Sequence, residues 1–333
     1  MNVVDLEKFH GRKSIFELIK KRISDFKEGY RQNIAFLGER YVGKSIILQK
    51  LIADLDDDEL VPVYLDLENK DLNYFYHRVV GSLLCGFSRI RNLPCHDDIS
   101  LLIQSTREHL PKTSNGIKKI QSHIHHHRTL EAYREIIALP QVFATETNLM
   151  CILLMDEFHT LEELGLPEIF KEFGKKVMTQ TRCLYIVTSS LPAAAKKILS
   201  ERLSLLFGNF EVVQIEPFDF SSSQEFIHFY LKDISVDESL TKFLFDFTGG
   251  QPLYLRFICQ ELVNLSAIHR QNKVFAPLAS QAIENILFNS WGVLSRHFEL
   301  MLERISAGKG NFLMASILMA LSQRKQKAKE LTQ

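Results

Sequence analysis

Apolar positions along the chain switch between two spacings, and the switching predicts strands separated by helices. Short apolar runs at Asn33 to Leu37, Val61 to Leu67, Cys151 to Met155, Cys183 to Val187 and Glu211 to Ile215 read as five strands. Between and before them the apolar residues recur at helical spacing. Ile15, Leu18, Ile19, Ile23 and Phe26 predict a helix over 12–28, and Ile47, Leu48, Leu51, Ile52 and Leu55 place one face of a helix over Lys44 to Leu55. Further helices are predicted over 74–87, 98–110, 117–139 and 166–180, with breaks near Pro94 and across the PKTSNG stretch at 111–116. Strands alternating with helices imply an α/β fold built on a doubly wound, mainly parallel five-stranded sheet, carrying a helical insertion at about 71–140. From Phe218 the strand pattern stops. Ser222 and Glu225 form a capping box that opens a helix to about Asp233, and helical patterns follow over 236–247, 252–268 and 275–305. Phe226, Phe229, Phe243, Phe245, Phe247 and Phe257 read as the core of this all-helical part. The QIEPFD break at 214–219 divides a core domain, 1–217, from a helical domain, 218–306, and leaves a tail, 307–333.

Composition narrows the class without naming it. The 333 residues are 46% hydrophobic and 24% charged, ordinary values for a globular chain, so no disulfide or metal staple is required to complete a core. A formal net charge of zero removes any whole-chain argument for nucleic acid or an anionic membrane. Cys85, Cys95, Cys151, Cys183 and Cys259 are scattered without a C-x-x-C pair and read as reduced, buried thiols. The N-terminus lacks an apolar signal core, and the longest apolar run, Met150 to Met155, is too short to span a bilayer. A cytoplasmic protein with no membrane partner is expected.

The candidate chemistry begins at FLGERYVGKSIIL, Phe36 to Leu48. Gly38, Gly43, Lys44 and Ser45 match G-x-x-x-x-G-K-[ST], a pattern that a chain of this length meets by chance roughly once in a hundred. Its strand and helix flanks are those the pattern needs. In such a loop the backbone N–H groups of residues Gly38, Glu39, Arg40, Tyr41, Val42, Gly43, Lys44, Ser45 and Ile46 cradle phosphates. Lys44 adds a point charge and is expected to face solvent without ligand, so that its loss costs the fold little. Ser45 offers a hydroxyl to Mg²⁺. CILLMDE, Cys151 to Glu157, ends a buried strand on two carboxylates. Asp156 is placed to hold the Mg²⁺ shell, usually through water, and Glu157 to polarise an attacking water as general base. Thr188, Ser189 and Ser190 end the next strand, beside the γ-phosphate if the strands are neighbours, where Thr188 and Ser190 could bond the phosphate or the water.

With these motifs the chain resembles the archaeal-type ATPases of the STAND class of P-loop NTPases, relatives of the AAA+ proteins and of the origin-binding initiator ATPases. Phe9, His10, Gly11 and Arg12 are similar to the family's opening F-x-G-R element, which packs beside adenine, although the acidic residue that usually follows is Lys13. Gly38 to Ser45 match Walker A and Leu153 to Glu157 match Walker B. Gly249 to Pro252 resemble the lid motif, whose proline, Pro252, would touch the adenosine. The resemblance implies an ATP-driven switch, closed on ADP, opened by ATP and an inducing signal or protein partner, and able to oligomerise on ATP binding. Two departures accompany it. Asn209, in LSLLFGNFE, stands where the family commonly has arginine, leaving Arg202 as the nearest substitute cation. The family also continues into a winged-helix domain, of which this chain is expected to hold only the start.

Other readings stay open beside it. His123 and His127 would share a helix face and could suggest a metal, but the neighbouring Lys118, Lys119 and Arg128 favour a solvated basic face. That face, or Arg324 to Lys329, could touch nucleic acid phosphates. A DNA-transaction ATPase of initiator or transposition-helper type is one rival, separable by DNA-stimulated turnover. A nucleotide-binding scaffold without turnover is the other.

Overall fold

The computed structural model describes residues 9–68, 71–203, 208–306, 316, 317, 319 and 320. The chain divides into two compact units between Glu216 and Pro217. The first unit is built on one sheet of five strands, β1 (Asn33–Leu37), β2 (Leu60–Asp66), β3 (Met150–Asp156), β4 (Cys183–Ser189) and β5 (Phe210–Gln214). The spatial order is β2-β3-β4-β1-β5 and every pairing is parallel. Parallel neighbours require crossovers, and the helices that make them cover both faces, which is why every residue of β1 and β4 is buried.

The period of two along each strand sorts the core into two layers. Ala35, Leu37, Val63, Leu65, Leu153, Met155, Tyr185 and Val187 face one way, against α3 (Leu72–Ile90), α6 (Thr129–Thr147) and α7 (Ile169–Thr179). Ile34, Phe36, Tyr64, Ile152, Leu154, Leu184 and Ile186 face the other, against α1 (Lys13–Lys27) and α2 (Lys44–Asp54). Three shorter or peripheral helices, α4 (Ile99–Thr106), α5 (Pro111–His125) and α8 (Pro192–Lys197), complete the unit.

The insertion departs from the predicted helix boundaries for identifiable reasons. PKTSNG opens α5 instead of breaking it. Pro111 occupies the first helical position, where a missing N–H costs nothing, and the carboxylate of Glu146 on α6 accepts from the amides of Lys112 (2.6 Å) and Thr113 (2.8 Å) and from the Thr113 hydroxyl (2.6 Å). α5 then ends at His125. His127 sits in the following turn at φ 56°, so it shares no helix face with His123, and the described residues contain no group of three or more potential ligands able to hold a metal. α6 runs through Pro140 to Thr147, where a stop after Leu139 was expected; burial of Tyr133, Ile136, Phe143 and Ala144 offsets the lost backbone bond.

The second unit is helical, with α9 (Phe220–Leu231), α10 (Glu238–Thr248), α11 (Pro252–His269), α12 (Ala276–Ile283) and α13 (Val293–Ser306). Asp219, whose side chain accepts from Ser222 N (2.7 Å), is the cap of α9, so the helix begins before the predicted Ser222–Glu225 box. The single helix expected over 275–305 is divided by a π-helical stretch, Glu284–Phe288, and a turn at Gly292, where a Cβ would lie 2.5 Å from the Ile286 carbonyl oxygen. Phe226 is buried, but Phe243 and Phe247 stack on each other at 5.8 Å and are nearly half exposed, so they lie outside the core assigned to them from the sequence. Of the cysteines, Cys151, Cys183 and Cys259 are buried, Cys85 half-buried and Cys95 exposed. Among the described residues no helix is long and apolar enough to cross a membrane. The winged-helix start expected over 307–333, and Arg324 to Lys329 within it, lies outside the described residues apart from four positions.

Replacing Glu146 with alanine removes a side chain that caps the start of α5. Loss of a cap of this kind lowers stability by about 1–2 kcal/mol, read as a shift of the urea midpoint at unchanged slope.

Candidate functional site

The carboxyl ends of β1, β3 and β4 come together, and the Gly38 to Ser45 loop, Asp156, Glu157, Thr188 and Ser190 lie there. β1 passes into the loop Gly38 to Gly43, and α2 starts at Lys44. The loop is pinned from both sides, because Gly38 N donates to Ser189 O (3.2 Å) and Ile215 N donates to Leu37 O (2.7 Å). Gly38 is dictated by this crowding: a Cβ would stand 2.1 Å from the Ile215 carbonyl oxygen. Gly43 is dictated by its backbone, at φ 99°. Between them Glu39 and Arg40 are exposed, with Arg40 Nη2 3.3 Å from Glu68 Oε1; Tyr41 has φ 68° and Val42 is buried. Ser45 and Ile46 follow in the first turn of α2, both half-buried.

Lys44 is not solvent-facing. Its side chain is 4% exposed, and Nζ donates to the carbonyls of Gly38 (3.0 Å) and Glu39 (2.7 Å), so that the ammonium closes a ring inside the loop. Burial pushes its pKa down, and the nearby Glu157 and Asp156 pull it back up. Removing the side chain therefore leaves two carbonyls unpaired, a loss of about 1–3 kcal/mol where little was expected.

Asp156, at the end of β3, is buried between two neutral hydroxyls from the flanking strands. Oδ2 accepts from Tyr64 Oη of β2 at 3.0 Å, and Oδ1 accepts from Thr188 Oγ1 of β4. The Tyr64 phenol is pushed far above its ordinary value by burial and by the Asp156 charge, so it stays a donor. Thr188 Oγ1 in turn accepts from Glu157 N at 3.1 Å. The hydroxyl expected to face a phosphate is therefore already committed to the two acidic residues. Glu157 itself has left-handed backbone, φ 53°, and its Oε2 accepts from Ser190 N (2.7 Å) and lies 3.3 Å from His159 Nδ1. The same Nδ1 is 2.9 Å from Ser189 Oγ. Ser190 Oγ is buried and has no hydrogen-bond partner among the described residues.

Tyr64 and His159 escaped the sequence reading. The signal for Tyr64 was present: a tyrosine inside a buried strand, VPVYLDL, must find a partner for its hydroxyl, and the strand ends nearby on a carboxylate. Gly11 and Arg12 both have left-handed backbone, φ 83° and 63°, and Arg12 Nη2 donates to Val42 O (3.1 Å) and to Glu216 O (2.5 Å). Asn209 lies at the opposite end of the sheet, where its carbonyl accepts from Asn33 N at 3.0 Å. β5 separates it from the loop by five residues, roughly 17 Å at strand rise, so an arginine there would not reach the loop of its own chain. Arg202 is paired with Glu162 and lies 5.7 Å over the Phe170 ring. In the second unit, Pro252 is the first residue of α11, after Gly249 and Gly250 in left-handed backbone. At Gly250 a Cβ would lie 2.0 Å from Phe218 O.

No protein-family model and no curated protein sequence matches the chain. Solved structures do. A Walker-type ATPase of Pyrococcus abyssi superposes with a TM-score of 0.60 at 15% identity, covering 98% of this chain and 83% of that one. Cdc6p from Pyrobaculum aerophilum gives 0.53 at 12% identity, covering 96% and 77%. The ORC1 protein of Aeropyrum pernix, solved in complex with DNA, gives 0.53 at 11% identity, covering 97% and 76%. The fold is accordingly the α/β P-loop NTPase fold.

The His159 environment sets a pH dependence. Its pKa is lowered chiefly by burial, with Arg40 and Lys44 pushing the same way and Glu157 and Glu163 opposing. The unfolded imidazole, with its ordinary value of 6.5, therefore binds a proton more readily than the folded one. Stability should fall as pH drops below that value, until the folded imidazole also protonates. Unfolding titrations between pH 7.5 and about 5 check this: His159→Gln should flatten the acid limb relative to wild type.

Proposed function

We propose that the chain binds ATP and ADP with Mg²⁺ and works as a nucleotide-driven switch that hydrolyses ATP slowly. The observation that carries this reading is the convergence of the Gly38 to Ser45 loop with Asp156 and Glu157 at one end of the sheet. The donor set suits a hard divalent cation, since Ser45 and Asp156 offer oxygen. Both Asp156 oxygens already accept hydrogen bonds, which favours contact with the Mg²⁺ shell through water. Mg²⁺ would supply charge neutralisation on the phosphates.

The remaining work falls to the chain's own groups. The loop amides orient the phosphates, and Lys44 neutralises charge on the transferring group once its ammonium leaves the Gly38 and Glu39 carbonyls. Glu157 aligns the attacking water and accepts its proton. Its present bond from Ser190 N holds it beside the site, with His159 Nδ1 3.3 Å away, and a shift of Oε2 off that amide is part of activation. By the STAND resemblance, the helical second unit would serve as a lid and Pro252 would touch the adenosine. The resemblance to STAND ATPases supports an inducing partner and assembly on ATP binding.

A second reading is a DNA-transaction ATPase. It is favoured by the likeness in fold to the ORC1 protein solved in complex with DNA, and DNA-stimulated phosphate release would separate it from the first. A scaffold without turnover would show nucleotide binding and no phosphate release.

Glu157→Gln should retain Mg-ATP binding by calorimetry and lower phosphate release by roughly a hundredfold or more, while Asp156→Asn should weaken Mg-dependent binding. Identical binding failure in both would overturn the division of labour. For the missing arginine, Asn209→Arg should leave the basal turnover of the single chain unchanged, because the position lies at the far end of β5; accelerated phosphate release would contradict that placement.

A further inference from the structure

Arg12 occupies a position that disfavours it twice. It is the N-cap of α1, where a short oxygen-bearing side chain would satisfy a free amide, and it makes no cap hydrogen bond. Its backbone is left-handed at φ 63°, a conformation that costs a side-chain-bearing residue roughly 1–2 kcal/mol and that points to function when the surroundings enforce it. What the chain gains is the reach of the guanidinium. One terminal nitrogen, Nη2, donates to Val42 O (3.1 Å) and to Glu216 O (2.5 Å). Val42 lies at the turn of the glycine loop, between Tyr41 at φ 68° and Gly43 at φ 99°.

Peptide geometry gives this contact a consequence. The Val42–Gly43 bond is trans, so its C=O and N–H point in opposite directions. Holding Val42 O toward Arg12 turns the Gly43 amide away from Arg12 and makes it available to a ligand in the loop. Gly43 lacks a Cβ and its φ is closed to other residues, so the peptide would otherwise be free to flip. Resting on the nucleotide reading above, we infer that Arg12 is a positioning residue for the phosphate loop. It presets the Gly43 amide for a phosphate oxygen and, through the same nitrogen, ties that peptide to Glu216, the last residue of the first unit.

The test uses the full chain, glycine-labelled with ¹⁵N, which gives at most 15 backbone amide signals, with Gly43 assigned by its loss in Gly43→Ala. ADP should shift the Gly43 signal in wild type. In Arg12→Ala that shift should vanish and the ADP affinity fall by about 10- to 100-fold, the range of one charged hydrogen bond. Arg12→Lys, which keeps the charge and can satisfy one carbonyl, should recover part of both and serves if the alanine variant does not fold. An Arg12→Lys or Arg12→Ala protein that binds ADP as wild type does, with the Gly43 shift intact, overturns the inference. An affinity loss with the Gly43 shift fully retained at saturation also overturns it, since Arg12 would then act by direct contact. Wild type that binds no ADP would instead overturn the nucleotide reading itself.

Discussion

The buried carboxylate of Asp156 is the constraint around which the site is assembled. A charge taken out of water must be hydrogen-bonded or paired, and here both oxygens are satisfied by hydroxyls from the strands on either side, Tyr64 on β2 and Thr188 on β4. That requirement fixes more than one side chain. Thr188 can serve Asp156 only if β4 lies directly beside β3, and with β4 there, its other edge pairs with β1 and brings Ser189 O to Gly38 N. The strand order thus sets the glycine loop next to the acidic pair. Lys44 adds the compensating charge, close enough to Asp156 and Glu157 for their field to oppose the effect of its burial.

The neutrality of the donors matters as much as their geometry. Tyr64 and Thr188 orient Asp156 without cancelling its charge, so the carboxylate keeps its attraction for a cation. An arginine in either place would have formed a closed ion pair with less to offer a ligand. Glu157 is held differently, by one backbone amide on one oxygen with an imidazole 3.3 Å away, which leaves its position adjustable.

The strands were legible because each is a short apolar run, largely buried in β1 to β4 and half-exposed in β5, and the glycine loop because its steric needs admit few residues. What one sequence does not carry is pairing between distant segments. Val61 to Leu67 gives no sign that Tyr64 will meet Asp156, and the commitment of Thr188 depends on a neighbour 32 residues away. Lys44 reads as a surface cation until the loop is seen to curl over it. Local signals misled where tertiary partners outweighed them: Pro111 opens a helix because Glu146 reaches it from α6, and Phe243 and Phe247 have core spacing on a face that nothing among the described residues covers. Asn209 was judged by motif position, whereas its distance along β5 decides what it can touch.

The ring closed by Lys44 bears on time as well as affinity. On the nucleotide reading proposed above, an ammonium bonded to Gly38 O and Glu39 O must give up both carbonyls before it can reach a phosphate, so that productive engagement would include a step internal to the protein. When such a step precedes or follows encounter, the observed association rate stops rising with ligand concentration and levels off at the rate of loop rearrangement. A loop that latches onto its own lysine therefore behaves as a timer, one whose setting lies in two backbone carbonyls and not in the abundance of nucleotide around it.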